Sequence, residues 1–203
     1  MVPPAPVCQT RGVDDLTRLA VAAGTGDPDA MRSFVHRSQA GVWQLCAALV
    51  GRENADDLTQ DTFVRILRAL PAFRAESSAR TWMLRITRYT CADWIRGQQR
   101  RRRLAEQAAE LTRSATPSES GRVDIDDLLD RLPPERRDAF VLTQVLGLSY
   151  AEAAEVCECE VGTVRSRVSR ARAELVAGVR ADEDGSGPSG PPDPPGRVEG
   201  QAH

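Results

Sequence analysis

The sequence predicts an all-α chain, two small helical domains joined by a flexible linker. Three observations carry that expectation. Apolar residues recur at spacings of three and four along most of the chain, the period of helices with one buried face. No alternating strand pattern runs for more than a few residues. The periodicity then stops in a stretch that opens on Arg100, Arg101, Arg102 and Arg103 and ends in Ser114-Ala115-Thr116-Pro117-Ser118-Glu119-Ser120-Gly121. Adjacent like charges repel and a Ser/Pro/Gly run has little to bury, so this stretch reads as a linker. The expected division is a disordered N-terminus at 1–12, a first helical domain at 13–100, the linker at 101–123, a second helical domain at 124–180 and a disordered Gly/Pro-rich tail at 181–203.

The first domain opens with a short helix at about Val13 to Ala23. Asp27-Pro28 then offers an N-cap followed by a proline at the first helical position. Met31, Phe34, Val35, Val42, Leu45, Cys46 and Leu49 mark one face of the long helix that follows, and Gly51 ends it. Asn54, with Asp57 three residues on, is expected to cap the next helix, whose buried stripe is Phe63, Ile66, Leu67 and Leu70 before Pro71 stops it. After a loop from Pro71 to Ser78, a helix runs from about Ala79 to Arg100 with Trp82, Met83, Ile86 and Tyr89 on one side. Past the linker the pattern resumes at Ile125, Leu128, Leu129 and Leu132, and a helix starting at Pro133-Pro134 carries Phe140, Val141, Leu142, Val145 and Leu146.

Composition narrows the function classes. The longest apolar run, Leu45 to Val50, is far short of the roughly 20 residues a spanning helix needs. Prolines stand in Met1 to Gly12 where an export signal would have its apolar core, so a cytoplasmic location is expected. Five scattered cysteines (Cys8, Cys46, Cys91, Cys157, Cys159) argue against a disulfide framework, and the one-residue gap of Cys157-Glu158-Cys159 is too short for ordinary zinc ligation. They read as small apolar residues. His36 and His203 have no plausible Ser or Cys partner, Asp56 and Asp57 point in different directions on a helix, and phosphate-cradling glycine loops are absent. Neither catalysis, nor a cofactor, nor a metal, nor a small-molecule substrate is expected.

The net charge of −2 hides a segregation. All 27 basic residues are arginine; the tail 181–203 holds five acids and one arginine, whereas 85–122 holds nine arginines against four acids and 161–172 holds four against none. These are local basic surfaces on an acidic chain.

The most informative segment is Leu148-Ser149-Tyr150-Ala151-Glu152-Ala153-Ala154-Glu155-Val156. Ser149 three residues before Glu152 is a capping box that fixes where a short helix starts, and Gly147 supplies the bend before it. After a tight connection, Cys157 to Glu160, comes Val161-Gly162-Thr163-Val164-Arg165-Ser166-Arg167-Val168-Ser169-Arg170-Ala171-Arg172. Val161, Val164, Val168, Ala171 and Leu175 form one buried seam; Thr163, Ser166, Ser169 and Arg170 lie opposite, and Arg165, Arg167 and Arg172 flank the seam. A capped helix, a turn and a helix with an Arg/Ser/Thr face make a helix-turn-helix whose second helix enters the major groove. Arginine bridges guanine O6 and N7, and Ser or Thr reaches base edges or phosphate.

Residues 147–154 and 161–172 together closely resemble the C-terminal promoter-reading domain of extracytoplasmic-function (ECF) sigma factors. Ala-Asp-Asp-Leu-Thr-Gln-Asp-Thr-Phe-Val-Arg (55–65) and Ser-Ser-Ala-Arg-Thr-Trp-Met-Leu-Arg-Ile-Thr-Arg (77–88) are similar to that family's polymerase-binding and upstream-of-start motifs. The resemblance covers roughly residues 13–180. It implies a first domain that docks on the β′ clamp of core RNA polymerase through Asp57, Gln60, Asp61 and Arg65, and a second domain placed against the β flap. Without the family, Asp57, Asp61, Arg65 and Arg68 are equally a surface charge ladder. The resemblance also makes Phe73 to Ser78 a loop that holds a base flipped from the minus-ten element, with Phe73, Ser77 and Ser78 in the loop and Arg80, Arg85, Arg88 and Arg96 on phosphates. Trp82 and Trp94 are candidates for base stacking, although Trp82 shares a face with Ile86 and Tyr89, which points to the core. Thr163, Arg165, Ser166, Arg167, Ser169 and Arg170 would read the minus-thirty-five element. Tyr89 stands where many relatives have Asn, and Glu160 where Pro is common.

The expected partners are core RNA polymerase, promoter DNA and an anti-sigma factor. Two other classes compete: a stand-alone helix-turn-helix regulator binding an operator without polymerase, and a helical adaptor whose basic patches are incidental. The first leaves 55–65 unexplained.

Overall fold

The computed structural model describes residues 14–109, 128–129 and 131–185, and its regular structure over them is entirely helical. The expected disordered N-terminus, most of the expected linker and the far end of the tail lie outside the described residues.

Local chemistry sets most helix starts. In α1 (Asp15–Gly24) the Asp14 carboxylate accepts from the Thr17 amide at 2.7 Å. In α2 (Pro28–Val50) Asp27 accepts from the amides of Asp29 and Ala30 at 2.9 and 3.1 Å, ahead of a proline whose missing N–H costs nothing there. Gly51, at φ 84°, ends α2 and begins α3 (Arg52–Ala69) in a single residue. This corrects the expected start at Asn54: with the turn completed at Gly51, Asn54 lies inside the helix and its side-chain amide donates to the Val50 carbonyl at 2.9 Å. A 3₁₀ turn, Leu70–Ala72, follows.

Helix α4 (Ala79–Ala109) is 31 residues long. Its first turn is capped twice: the Thr81 amide donates to Ser78 Oγ at 3.0 Å, and the Ala79 amide donates to Thr17 Oγ1, from α1, at 2.8 Å. The helix passes through Arg100 to Arg103, where the sequence predicts a linker. Successive residues point about 100° apart around a helix, so neighbouring guanidiniums diverge and the repulsion that was to break the helix is weak.

The second domain holds α5 (Pro134–Phe140), a π-helical turn (Val141–Val145), α6 (Tyr150–Cys157) and α7 (Val161–Gly185). In the wider turn the Leu146 amide reaches back to Val141, which rotates Val145 out of the expected buried face to 51% exposure while Leu146 and Leu148 remain buried. Helix α7 runs on to Gly185, past the expected start of the tail.

Helices α1 to α4 form a bundle around Phe34, Leu45, Ile66, Met83 and Leu84. Two expected core positions are corrected: Leu67 and Tyr89 are exposed. On α4 the buried row is instead Met83, Leu84, Thr87, Thr90 and Cys91. Threonine is admitted because its hydroxyl is satisfied by its own helix: Thr87 donates to the Met83 carbonyl and Thr90 to Ile86, each at 2.9 Å. The second domain is not held apart from the first. Helix α6 packs on α4, and Ala139, Val141, Leu142, Val156 and Cys157 belong to the same apolar cluster as the bundle. A smaller cluster of Leu129, Leu132 and Ala171, with Phe140 and Leu175, closes the second domain.

Truncating Phe34 to Ala should cost about 3–5 kcal/mol of unfolding free energy, because the ring is fully buried, while Val64→Ala on the exposed side of α3 should stay within about 0.5 kcal/mol. Urea unfolding of the two variants measures both.

Candidate nucleic-acid interface

The helix-turn-helix is built as its sequence requires. Ser149 Oγ accepts from the Glu152 amide at 3.2 Å and the Glu152 carboxylate accepts from the Ser149 amide at 2.8 Å, closing the capping box. Glu158, at φ 53°, makes the turn out of α6 in the left-handed region. Val164, Val168 and Ala171 are buried and Val161 and Leu175 half-buried, so the seam faces inward. The opposite face is open: Thr163, Arg165, Ser166, Ser169 and Arg170 are exposed. Arg165 lies over the Tyr150 ring at 5.8 Å. Arg167 is half-buried and its guanidinium meets Cys159 Sγ at 3.7 Å, so it braces the turn beside the reading face. Arg172 donates to Gln144 at 2.5 Å, which ties α7 to the π-helical turn.

In the first domain, Phe73, Arg74, Glu76, Ser77, Trp82 and Arg85 line a cleft of about 200 Å³. The Phe73 and Trp82 rings meet at 4.8 Å and 43°, an aromatic wall at its base. Trp82 is therefore half-buried between core and cleft. Ser77 faces the cleft, while Ser78 is spent on capping α4. Ala75 holds a left-handed φ of 55°, a conformation that costs a non-glycine residue roughly 1 kcal/mol and that no motif in the sequence signals.

Three of the arginines expected on phosphates meet the second domain. Arg80 donates to the Leu146 carbonyl at 2.5 Å. Arg88 Nε meets Asp138 Oδ2 at 2.5 Å, with the two side chains only 19% and 13% exposed. Arg85 lies 4.0 Å from Glu158, and the Tyr89 hydroxyl donates to the same Glu158. Arg137 donates to the Leu49 carbonyl at 3.2 Å. The second domain thus contacts the side of α4 that carries Arg80, Arg85, Arg88 and Tyr89, and of these it encloses Arg88 while Arg80 and Tyr89 stay exposed. Burial raises the Asp138 carboxyl above its ordinary range, more than Arg88 draws it down; Arg88, although desolvated, is held above its own by Asp138.

On α3, Asp57, Gln60, Asp61, Val64, Arg65, Leu67 and Arg68 form an exposed outer face, with Asp56 held aside by the Trp43 indole N–H at 2.7 Å. Arg65 is paired with Asp93 of α4 at 2.9 Å, and Asp93 also takes Arg96 at 2.6 Å. The hydrogen bond from Arg65, then that from Arg96, holds the Asp93 carboxyl below its usual range. The exposed apolar pair Val64 and Leu67 was missed in the sequence, where Leu67 counted as core. Among the described residues no group of His, Cys, Asp and Glu is placed to hold a metal, and no helix is long and apolar enough to cross a membrane.

Comparison with known proteins adds independent findings. The Sigma-70 region 2 family model matches residues 34–101 and the Sigma-70 region 4 model matches 122–175. The chain is 43% identical over 173 residues to the ECF RNA polymerase sigma factor SigC of Mycobacterium tuberculosis, covering 83% of this chain and 93% of that one. It is 36% identical over 163 residues to the ECF RNA polymerase sigma-E factor of Haemophilus influenzae, covering 72% and 86%. Among solved structures it is similar to CnrH in complex with the cytosolic domain of CnrY (TM-score 0.64, 30% identity, 81% of this chain and 97% of that one). It is also similar to RpoE of Bartonella quintana in complex with the anti-sigma factor NepR (TM-score 0.58, 26% identity, 75% and 98%).

A double-mutant cycle on Arg88→Ala and Asp138→Ala should give a coupling energy of about 1–3 kcal/mol, because each single change strands a largely buried charge. A coupling near zero in thermal or urea unfolding contradicts the pair's importance.

Proposed function

The chain belongs to the ECF RNA polymerase sigma factors, and from that premise we propose how its surfaces divide the work of promoter-specific transcription initiation. The chain binds core RNA polymerase and directs it to promoters. The exposed face of α3, with Asp57, Gln60, Asp61 and Arg65 around Val64 and Leu67, is the proposed seat for the β′ clamp. Its charged rim and apolar centre have the make-up of a protein-binding surface. The cleft between Phe73 and Arg85 is the proposed pocket for a base extruded from the minus-ten element: an aromatic wall stacks the base, Ser77 and Arg85 supply polar edges, and the cost of unstacking is a few kcal/mol. The Arg/Ser/Thr face of α7 is proposed to read the minus-thirty-five element, with the second domain placed against the β flap.

One observation carries the reading: a cation-rich helix face, without acids over residues 161–172, stands open to solvent on the same chain as an aromatic-walled cleft. A stand-alone operator-binding regulator needs the first and has no use for the second. The task is placement, with polymerase making the bonds, and it belongs in the compartment that holds polymerase and DNA, the cytoplasm. The similar chains CnrH and RpoE were each captured with a partner, the cytosolic domain of CnrY and the anti-sigma factor NepR, which supports an anti-sigma factor as a further partner here.

In the closed arrangement Arg80, Arg88 and Tyr89 are committed to the second domain. Using both promoter-reading surfaces together therefore requires α6 to leave α4, and a polymerase that seats the two domains at a fixed span supplies the energy. Held there, each domain raises the effective concentration of the other at its own element.

Transcription with purified core polymerase on a fragment library should start selectively only when this chain is added; tight operator binding by a dimer without polymerase would instead favour the regulator. Asp138→Ala should release α4 and leave or raise promoter-complex formation, whereas Arg88→Ala, which also loses a phosphate contact, should lower it. Arg170→Ala should weaken binding to the minus-thirty-five element by about 1–3 kcal/mol and relax specificity at the base it reads, as competition between element variants measures.

A further inference from the structure

Deep in the first domain, Cys46 of α2 and Cys91 of α4 are both fully buried, and the Cys91 thiol donates to Cys46 Sγ at 3.8 Å. Two side chains of α3 complete the site. Thr59 and Thr62 are 6% and 0% exposed, yet their hydroxyl oxygens make no conventional hydrogen bond. That departs from the rest of the fold: Ser38, Thr87, Thr90 and Thr143 each return a hydroxyl to the carbonyl four residues earlier, at 2.7 to 2.9 Å. Thr59 and Thr62 forgo that bond and lie beside Cys46, close enough to act on its sulfur. One sulfur is therefore approached by the Cys91 thiol and flanked by two threonine hydroxyls inside the core, surroundings that favour its anion and leave the neighbouring thiol protonated. The Cys91 thiol first, against the opposing effect of burial, and then the two threonines hold Cys46 below its ordinary range. Cys157, buried near Asp138 without such donors, is pushed up to about 12.

We propose that Cys46 and Cys91 form an oxidation site, in which a hydroperoxide converts the pair to a disulfide between α2 and α4, with Cys46 as the attacking sulfur. The Cys46 thiolate attacks the peroxide; an S–O bond forms, the O–O bond breaks, and the leaving oxygen takes a proton and departs as water or alcohol. Cys46 is then a sulfenic acid. The Cys91 sulfur attacks it; the S–S bond forms, the S–O bond breaks, and the Cys91 proton leaves with the hydroxyl as water. Two electrons pass from the sulfur pair to the peroxide, and a dithiol reverses the change by exchange. The sulfurs must close from 3.8 Å to about 2.05 Å, drawing together α2 and the helix that carries Arg80, Arg85 and Arg88. The chemistry stands apart from the proposed function.

The test uses the full chain with Cys8, Cys157 and Cys159 changed to Ser, exposed to hydrogen peroxide under native conditions, then alkylated in denaturant and mapped by mass spectrometry. A Cys46–Cys91 cross-linked peptide, the loss of two hydrogens and a thermal midpoint raised by several degrees and reversed by dithiothreitol are expected. With Cys91→Ser, dimedone should label Cys46; with Cys46→Ser no label should appear on Cys91. The shape-matched pair Thr59→Val and Thr62→Val should slow cross-linking at least tenfold, and Thr→Ser should restore it. Two free thiols after peroxide, or a cross-link that forms only in denaturant, overturns the proposal; an unchanged rate in the valine variants overturns the role of the hydroxyls. All these readouts are independent of transcription.

Discussion

The contact between Arg88 and Asp138 joins two surfaces that have different uses elsewhere. Helix α4 has its inner side in the four-helix core and turns its arginines outward, and α5 brings a carboxylate to one of them in a place where both are largely removed from water. Such a pair adds little net stability, because desolvation offsets most of the attraction. It fixes register. With Arg88 on Asp138, the Leu146 carbonyl comes to Arg80 and Glu158 comes to Tyr89 and Arg85. Carboxylates and a carbonyl thus occupy guanidinium groups whose other natural ligand is a phosphate. The apolar cluster that runs from the bundle into Val141, Leu142 and Val156 supplies the adhesion, and the charged contacts decide where it settles.

What makes α4 able to hold two partners is its rigidity. Its first turn is anchored by Ser78 from its own chain segment and by Thr17 from α1, and at the loop's other end the Phe73 amide donates to the Leu70 carbonyl at 3.0 Å. The left-handed Ala75 is tolerated in that loop for the same reason: a strained residue persists only where its surroundings over-determine it. A cleft formed between such a loop and the Phe73–Trp82 pair is preorganised, so binding there spends little on ordering the protein.

Helix starts governed by one side chain were legible in the sequence. Asp27-Pro28 and the Ser149/Glu152 box act within three residues, and the valine seam of α7 follows from period alone. The open Arg/Ser/Thr face came with it. Features that depend on distant neighbours were not legible. Asn54 lost its capping role because Gly51 turned the chain first, and Val145 left the core because a π-helical turn shifted the phase. On α4 the reading favoured aromatic residues over threonines for the core, since back-bonding of a hydroxyl is invisible to hydropathy; Tyr89 went outward and Thr87 and Thr90 inward. Above all, a stretch of low periodicity between domains says nothing about whether the domains touch. The sequence offers Arg80, Arg85 and Arg88 only as candidates for phosphate; their contacts with Leu146, Glu158 and Asp138 are a property of the packed chain.

The competition for these arginines has a direction in salt. Phosphate binding by an arginine releases counterions condensed on DNA, so each such contact weakens in proportion to the logarithm of ionic strength, multiplied across every arginine engaged. A pair as enclosed as Arg88 and Asp138 is screened much less, and releases no condensed ions when it forms. Rising salt therefore penalises the open, DNA-bound arrangement far more steeply than the closed one. The apolar contact between α4 and α6 pushes the same way, because it does not weaken with ionic strength as charge pairs do. Opening must then draw on contacts that are themselves partly apolar, and the exposed Val64 and Leu67 beside Asp61 and Arg65 are where the first domain has them.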